Sequence, residues 1–191
     1  MKMYQAGIFV IILLFVAGCA GKEEGSGATS EKPSLTQGTG ASNASAGGVS
    51  WLVPARWKNA GERPMRAATY KVPSGGGDAD GECAVFYFGS GQGGDLRSNI
   101  DRWVGQFENP SQPVESTKEL NGMRVTTVTT TGTYLSPAGP MMESQGKKEN
   151  YTLMGAIVEA PGGSVFFKLT GPSATVGGAK AEFEALVQSL K

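Results

Sequence analysis

Histidine is absent from this 191-residue chain. Its absence removes the commonest general base, the usual imidazole metal ligand and the side chain that titrates near neutral pH. An excess of either charge is lacking too, since 17 Lys and Arg stand against 17 Asp and Glu. No global field recruits nucleic acid or steers an acidic ligand, so no nucleic-acid partner is expected. Cysteine is scarce, with only Cys19 and Cys83. Long apolar runs are also missing. The longest, Ile8 to Val16, falls short of the roughly 20 residues that cross a membrane comfortably. Glycine, by contrast, is abundant at 29, concentrated in one linker and in loops.

The chain opens MKMYQAGIFVIILLFVAGCA. One basic residue, Lys2, precedes the short apolar run, and small residues follow it. This is the layout of a secretory signal. Its end, Val16-Ala17-Gly18-Cys19, resembles the bacterial lipobox, in which small residues precede an obligatory cysteine. The resemblance implies a signal peptide over 1–18, a diacylglyceryl thioether on the Cys19 sulfur and cleavage before Cys19. A thiol suits that transfer because it yields a good nucleophile near neutral pH. Two or more acyl chains then anchor the protein to a membrane stably, at roughly 0.8 kcal/mol per buried CH₂. Position 20 is Ala rather than Asp. By analogy with enterobacterial lipoproteins, that implies the outer membrane and a domain facing the periplasm. With Cys19 acylated, Cys83 has no partner for an intramolecular disulfide.

Residues 19–48 read as a lipid-anchored flexible linker. Almost no large apolar side chain occurs in AGKEEGSGATSEKPSLTQGTGASNASAGG (20–48), so burial cannot offset the entropy of ordering it. As a Gly/Ser coil it spans on the order of 30 Å. From 49 to 191 the composition is that of one folded domain. Short aromatic and β-branched runs bounded by Gly and Pro predict strands at 51–54, 66–72, 83–88, 115–120, 124–135, 150–160 and 164–171. Pro161-Gly162-Gly163 predicts a hairpin turn between the last two.

Two amphipathic helices are predicted. Leu96, Ile100, Trp103, Val104 and Phe107 keep helical spacing, with Asp95 as N-cap. Ala179, Phe183, Leu186, Val187 and Leu190 repeat that spacing. One apolar stripe each means that each helix covers a sheet. The fold class is therefore α+β, an antiparallel sheet flanked by two amphipathic helices. A core of this size needs no disulfide or metal, so a monomer that folds alone is expected.

Three phrases then carry a family resemblance: Trp51-Leu-Val-Pro-Ala-Arg-Trp57, Glu119-Leu-Asn-Gly-Met-Arg-Val125 and Ala181-Glu-Phe-Glu-Ala-Leu-Val-Gln-Ser-Leu-Lys191. In this order they are similar to the PsbP-like superfamily, which includes bacterial envelope lipoproteins of the DcrB type. The resemblance implies an α-β-α sandwich and a binding or accessory role without catalysis. It carries over no functional residue, because the phrases read as structural landmarks.

One motif points elsewhere. Gly89, Gly91 and Gly94 spell G-x-G-x-x-G between an apolar run and a helix, the setting of a dinucleotide fingerprint. The alternative function is thus an exported nucleotide- or phosphate-binding protein, or an enzyme, using the 89–95 loop. Against it, Asn109-Pro-Ser-Gln-Pro113 and a Thr-rich hairpin follow the helix, where a Rossmann unit has a second parallel strand ending in an acid. Asp95 at the helix start also opposes an anion there. Gly171-Pro-Ser-Ala-Thr-Val-Gly177-Gly178-Ala-Lys180 misses the P-loop spacing and reads as a loop feeding the last helix. Cys83, inside an apolar strand, reads as a buried small hydrophobe. No cofactor, metal site or catalytic residue is expected. Met141 and Met142, in the 135–147 loop, are adaptable apolar side chains and candidates for contact with an envelope partner.

Overall fold

The structure is a computed structural model and describes residues 41–136 and 146–191. Its first element corrects the boundary at 48. Strands β1 (Ser42–Ala46) and β2 (Val49–Val53) form an antiparallel hairpin. Gly47 and Gly48, with φ of 59° and 80°, supply the two positive φ angles that a type I′ turn demands. The Ser-Asn-Ala-Ser-Ala strand has no large side chain to announce it. It is held by its backbone ladder and by Ala44, which is buried in the core.

An eight-stranded antiparallel sheet makes the body of the fold. Its order is β3 (Lys58–Asn59), β4 (Ala68–Val72), β5 (Gly81–Tyr87), β10 (Gly163–Pro172), β9 (Lys147–Ala160) and β8 (Met123–Leu135). The far side of β8 is shared by β6 (Phe107–Glu108) and β7 (Val114–Leu120). All seven predicted strands are present within a few residues. The two-residue strands β3 and β6 are additions, and Ala160 pairs with Gly163 across the predicted turn.

Helix α1 (Leu96–Val104) is capped by Asp95 as expected but ends before Phe107. Phe107 instead belongs to β6, where its ring lies 5.2 Å from that of Tyr134. Helix α2 (Ser173–Gln188) starts earlier than its apolar repeat suggested. Gly177 and Gly178 mimic a loop in the sequence, yet both lie on the exposed side of the helix. There they are tolerated at a cost of roughly 1 kcal/mol each relative to alanine.

The two helices cover opposite faces of the sheet. Ile100 and Trp103 of α1 pack with Leu153, Ile157 and Phe166. Phe183, Leu186 and Val187 of α2, together with the β1–β2 hairpin, pack with Val158, Val165 and Phe167. Phe166 and its neighbours Val165 and Phe167 point to opposite faces because side chains alternate along a strand. Trp51 of the hairpin meets Phe167 edge-to-face at 5.0 Å and donates to the Tyr70 hydroxyl at 3.3 Å.

The three phrases of the family resemblance meet at one end. Ser50 and Lys191 exchange backbone hydrogen bonds at 2.9 and 3.0 Å. The Ser189 hydroxyl oxygen accepts from the Leu52 amide at 2.8 Å. Asn121, in the β7–β8 turn, donates to the Leu190 carbonyl at 2.7 Å.

Candidate functional site

The glycine loop between β5 and α1 serves packing and capping. The glycine that packing requires is Gly93, outside the G-x-G-x-x-G set. A Cβ there would lie 2.8 Å from the Phe166 ring and 3.1 Å from Phe88. The Gly93 carbonyl accepts from the Asn99 side-chain amide at 2.8 Å. Asp95 accepts from the Ser98 amide at 2.9 Å and the Ser98 hydroxyl at 2.7 Å. These bonds hold its carboxyl below the usual range, so a negative charge already occupies the helix start where a phosphate would bind. After α1 the chain enters β6, separated from β5 by β10, β9 and β8. The adjacent parallel strand of a dinucleotide site is not formed there.

Cys83 is fully buried on the α2 side of β5, and burial pushes its thiol well up. A thiol so placed is an inert core group. Cys19, Met141 and Met142 lie outside the described residues. Among the described residues, no group of three or more His, Cys, Asp or Glu side chains is placed to hold a metal ion.

Two sites that the sequence did not announce are built by the fold. The first is a groove of about 370 Å³ on the α2 face. Helix α2 lies over β9 and β10. Met123 and Val125 of β8 are buried in its core cluster, while Thr127 and Thr129 of β8 and the near face of β7 line the open groove beside it. Phe183, Val187, Lys180 and Glu184 form the helix wall, and Met154, Thr127 and Thr129 form the floor. Val114, Ser116 and Lys118 of β7 form the opposite rim. These three share a face because β7 alternates. Glu115 and Thr117 point to the other side, where Glu115 meets Arg97 of α1 at 3.0 Å and Thr117 meets Thr126 at 2.9 Å. Val114 is 70% exposed, the second most exposed of the large apolar side chains among the described residues. Lys180 and Glu184 stand 3.9 Å apart, a loose pair. Lys118 makes no ion pair among the described residues.

The second site surrounds Lys168 on the α1 face. Strand registers set Thr69, Ala84, Lys168, Gly155 and Val128 side by side across five strands. Small neighbours flank the lysine, and Trp103 closes over Gly155. The ammonium donates to the Gln106 side-chain carbonyl and lies 5.4 Å from the Tyr134 ring centroid. Burial, then the nearby Arg66 charge, push its pKa down to about 8, while Glu82 opposes this. The one sequence clue is that Lys168 alternates with Phe166 in SVFFKLTG and so shares the face that α1 covers.

This lysine predicts a pH dependence. Between pH 8 and its ordinary 10.5, the unfolded chain binds more protons than the folded one, so this group's contribution to stability rises with pH. Below pH 8 the cost of holding this partly desolvated charge is fully present. Tyr70 and Tyr134, both pushed up to about 12 chiefly by burial, act oppositely. Their stabilisation holds below pH 10 and is lost as pH rises through 12. Thermal melts of wild type and Lys168→Met from pH 7 to 10.5 isolate the lysine. Wild type is expected to gain on the variant across pH 8–10.5, and a constant difference would refute the assignment.

No family model matches the chain, and no curated protein matches it. Two solved structures are similar to it. A Pseudomonas aeruginosa protein of unknown function is 12% identical, with 83% of this chain and 96% of that chain covered and a TM-score of 0.45. Cyanobacterial PsbP (CyanoP) from Synechocystis sp. PCC 6803 is 11% identical, with 87% and 96% covered and a TM-score of 0.49.

Proposed function

We propose that this protein is a lipid-anchored component of the bacterial cell envelope whose PsbP-like domain binds another envelope component without catalysis. The observation that carries the binding role is the groove between α2 and the β7–β8 edge. It combines an apolar wall, a threonine floor and charged rims in a concave surface beside an uncovered strand, the mixture of apolar surface and a few polar groups that binding sites use. The anchor rests on Val16-Ala17-Gly18-Cys19, with the outer membrane as its location on the strength of Ala20. The non-catalytic reading is supported by Cys83, a nucleophile sealed in the core.

A photo-crosslinking amino acid placed at Ser116 or Gln188, both on the groove, tests this in living cells. Each is expected to give a discrete adduct. The same group at Lys58, exposed on the opposite sheet edge, is expected to give none. Identical adduct patterns from all three positions would overturn the groove as the binding site.

A further inference from the structure

We propose that β7 is a docking edge, and that the groove takes an extended segment of a partner polypeptide, added to the sheet as a strand beside β7. The inference rests on the reading of the groove as a binding site and names its occupant.

The backbone supplies the first argument. Strand β7 pairs with β8 along its whole length, from Val114↔Thr129 to Leu120↔Met123. Its other edge pairs with nothing among the described residues. Every second residue of a strand with one partner leaves its N–H and C=O free, a template for a further strand. Pro113, which has no N–H, precedes the edge, and the Asn121-Gly122 turn closes it. The footprint is therefore the seven residues of β7 itself.

The helix beside the edge points the same way. A strand added to β7 extends the groove floor and directs alternate side chains toward α2. Strand addition of this kind draws affinity from main-chain hydrogen bonds and selectivity from the alternate side chains. Here Val114 offers exposed apolar surface, and Val187 and Phe183, each 2% exposed, back the helix wall from the core. Among the described residues Lys118 has no carboxylate partner, and Lys180 is only loosely paired with Glu184. The complementary segment alternates apolar residues with an acidic one on its groove side.

A second copy of the chain is disfavoured as occupant. Antiparallel self-pairing of the full edge centres on Thr117. That register sets Glu115 opposite Glu119 at two places, and like charges directly opposite each other destabilise a pair. Arg97 and Arg124 lie 3.0 and 3.9 Å from these carboxylates and weaken their repulsion without removing it. The glutamates disfavour the chain's own strand and place no like charge against a foreign one that lacks acids on that face.

The test uses full-length mature protein in detergent and a fluorescein-labelled peptide, Thr-Val-Thr-Asp-Thr-Val-Thr, within a library that varies its Val and Asp positions. Anisotropy is expected to show saturable binding of alternating apolar/acidic members. N-methylation of alternate amides is expected to abolish it in one of the two phases. Lys118→Glu is expected to weaken the Asp peptide about tenfold and to favour a Lys counterpart, because attraction becomes repulsion. Lys118 is half-buried on β7 and belongs to neither core cluster, so this change leaves the core intact. Equal binding of both N-methylated phases would overturn strand addition while leaving the groove a binding site. Adducts at Ser116 in cells without binding of any library member would do the same. Loss of both adducts and peptide binding would sink the inference and the binding role together. A dimer in sedimentation that Val114→Asp dissociates would overturn the choice of occupant.

Discussion

Gly155→Ala is expected to lower stability by about 1–3 kcal/mol, the cost of overpacking a filled core, and Gly155→Val by more. An alanine Cβ would lie 2.4 Å from Trp103 Cζ3, 2.8 Å from Cε3 and 3.0 Å from Val128 Cγ1. None of these neighbours is a flexible chain end. Trp103 is 4% exposed and pinned between α1 and the sheet. The tryptophan must therefore lift, and α1 with it. The helix also carries Arg97, whose guanidinium holds Glu115 of β7 at 3.0 Å, so the disturbance reaches the docking edge. Thermal melts give the direction. Trp103→Leu alone is expected to destabilise by leaving a cavity. Combined with Gly155→Ala, it is expected to cost less than the sum of the two, since each change makes room for the other. An alanine variant that melts at or above the wild-type temperature would show that Trp103 does not rest on Gly155.

Gly155 also illustrates how much of this fold could be read from the sequence. Strand β9 was legible from its β-branched and aromatic residues, but a glycine in NYTLMGAIVEA does not say which side chain lies on it. Local signals were enough wherever the chain makes its own case. Asp95 before the Leu96–Ile100–Trp103 stripe announced α1, and Asn121-Gly122 announced the β7–β8 turn. They failed where structure comes from long-range contacts. Strand β1 exists because β2 pairs with it and Ala44 fills a gap in the core, not because Ser-Asn-Ala-Ser-Ala favours a strand. Phe107 fits the helical repeat, yet it is drawn into pairing with β8 opposite Tyr134. The groove is purely tertiary. It depends on α2 lying over β9 and β10 and stopping short of β7, a fact with no trace in residues 114–118 or 180–187 taken separately. The half-buried lysine is of the same kind. Ala84 and Gly155 flank it only because three strands are in register.

The two cysteines of the chain predict opposite outcomes. If the proposed anchor is correct, Cys19→Ser abolishes it, because a hydroxyl is far less nucleophilic than a thiolate-forming group and cannot accept the diacylglyceryl chain. By the lipobox resemblance, the signal peptidase acts on the lipidated precursor alone. The variant is expected to keep its signal or to be cut elsewhere, and to lose the detergent-phase partitioning that acyl chains confer. Cys83→Ser is the control, and it works in the other direction. Cys83 is fully buried against the α2 core, so a serine there places a hydroxyl among apolar groups at a cost of roughly 1–3 kcal/mol. That variant is expected to melt earlier but to remain anchored. Mass spectrometry of the membrane fraction separates the two effects. The wild-type N-terminal peptide is expected to begin at Cys19 and to carry the mass of diacylglycerol, with or without a further acyl chain on its amine. A peptide beginning at Cys19 without lipid mass would end the anchor reading and the outer-membrane placement with it. It would leave the groove and its test on β7 untouched, since neither depends on how the domain is held.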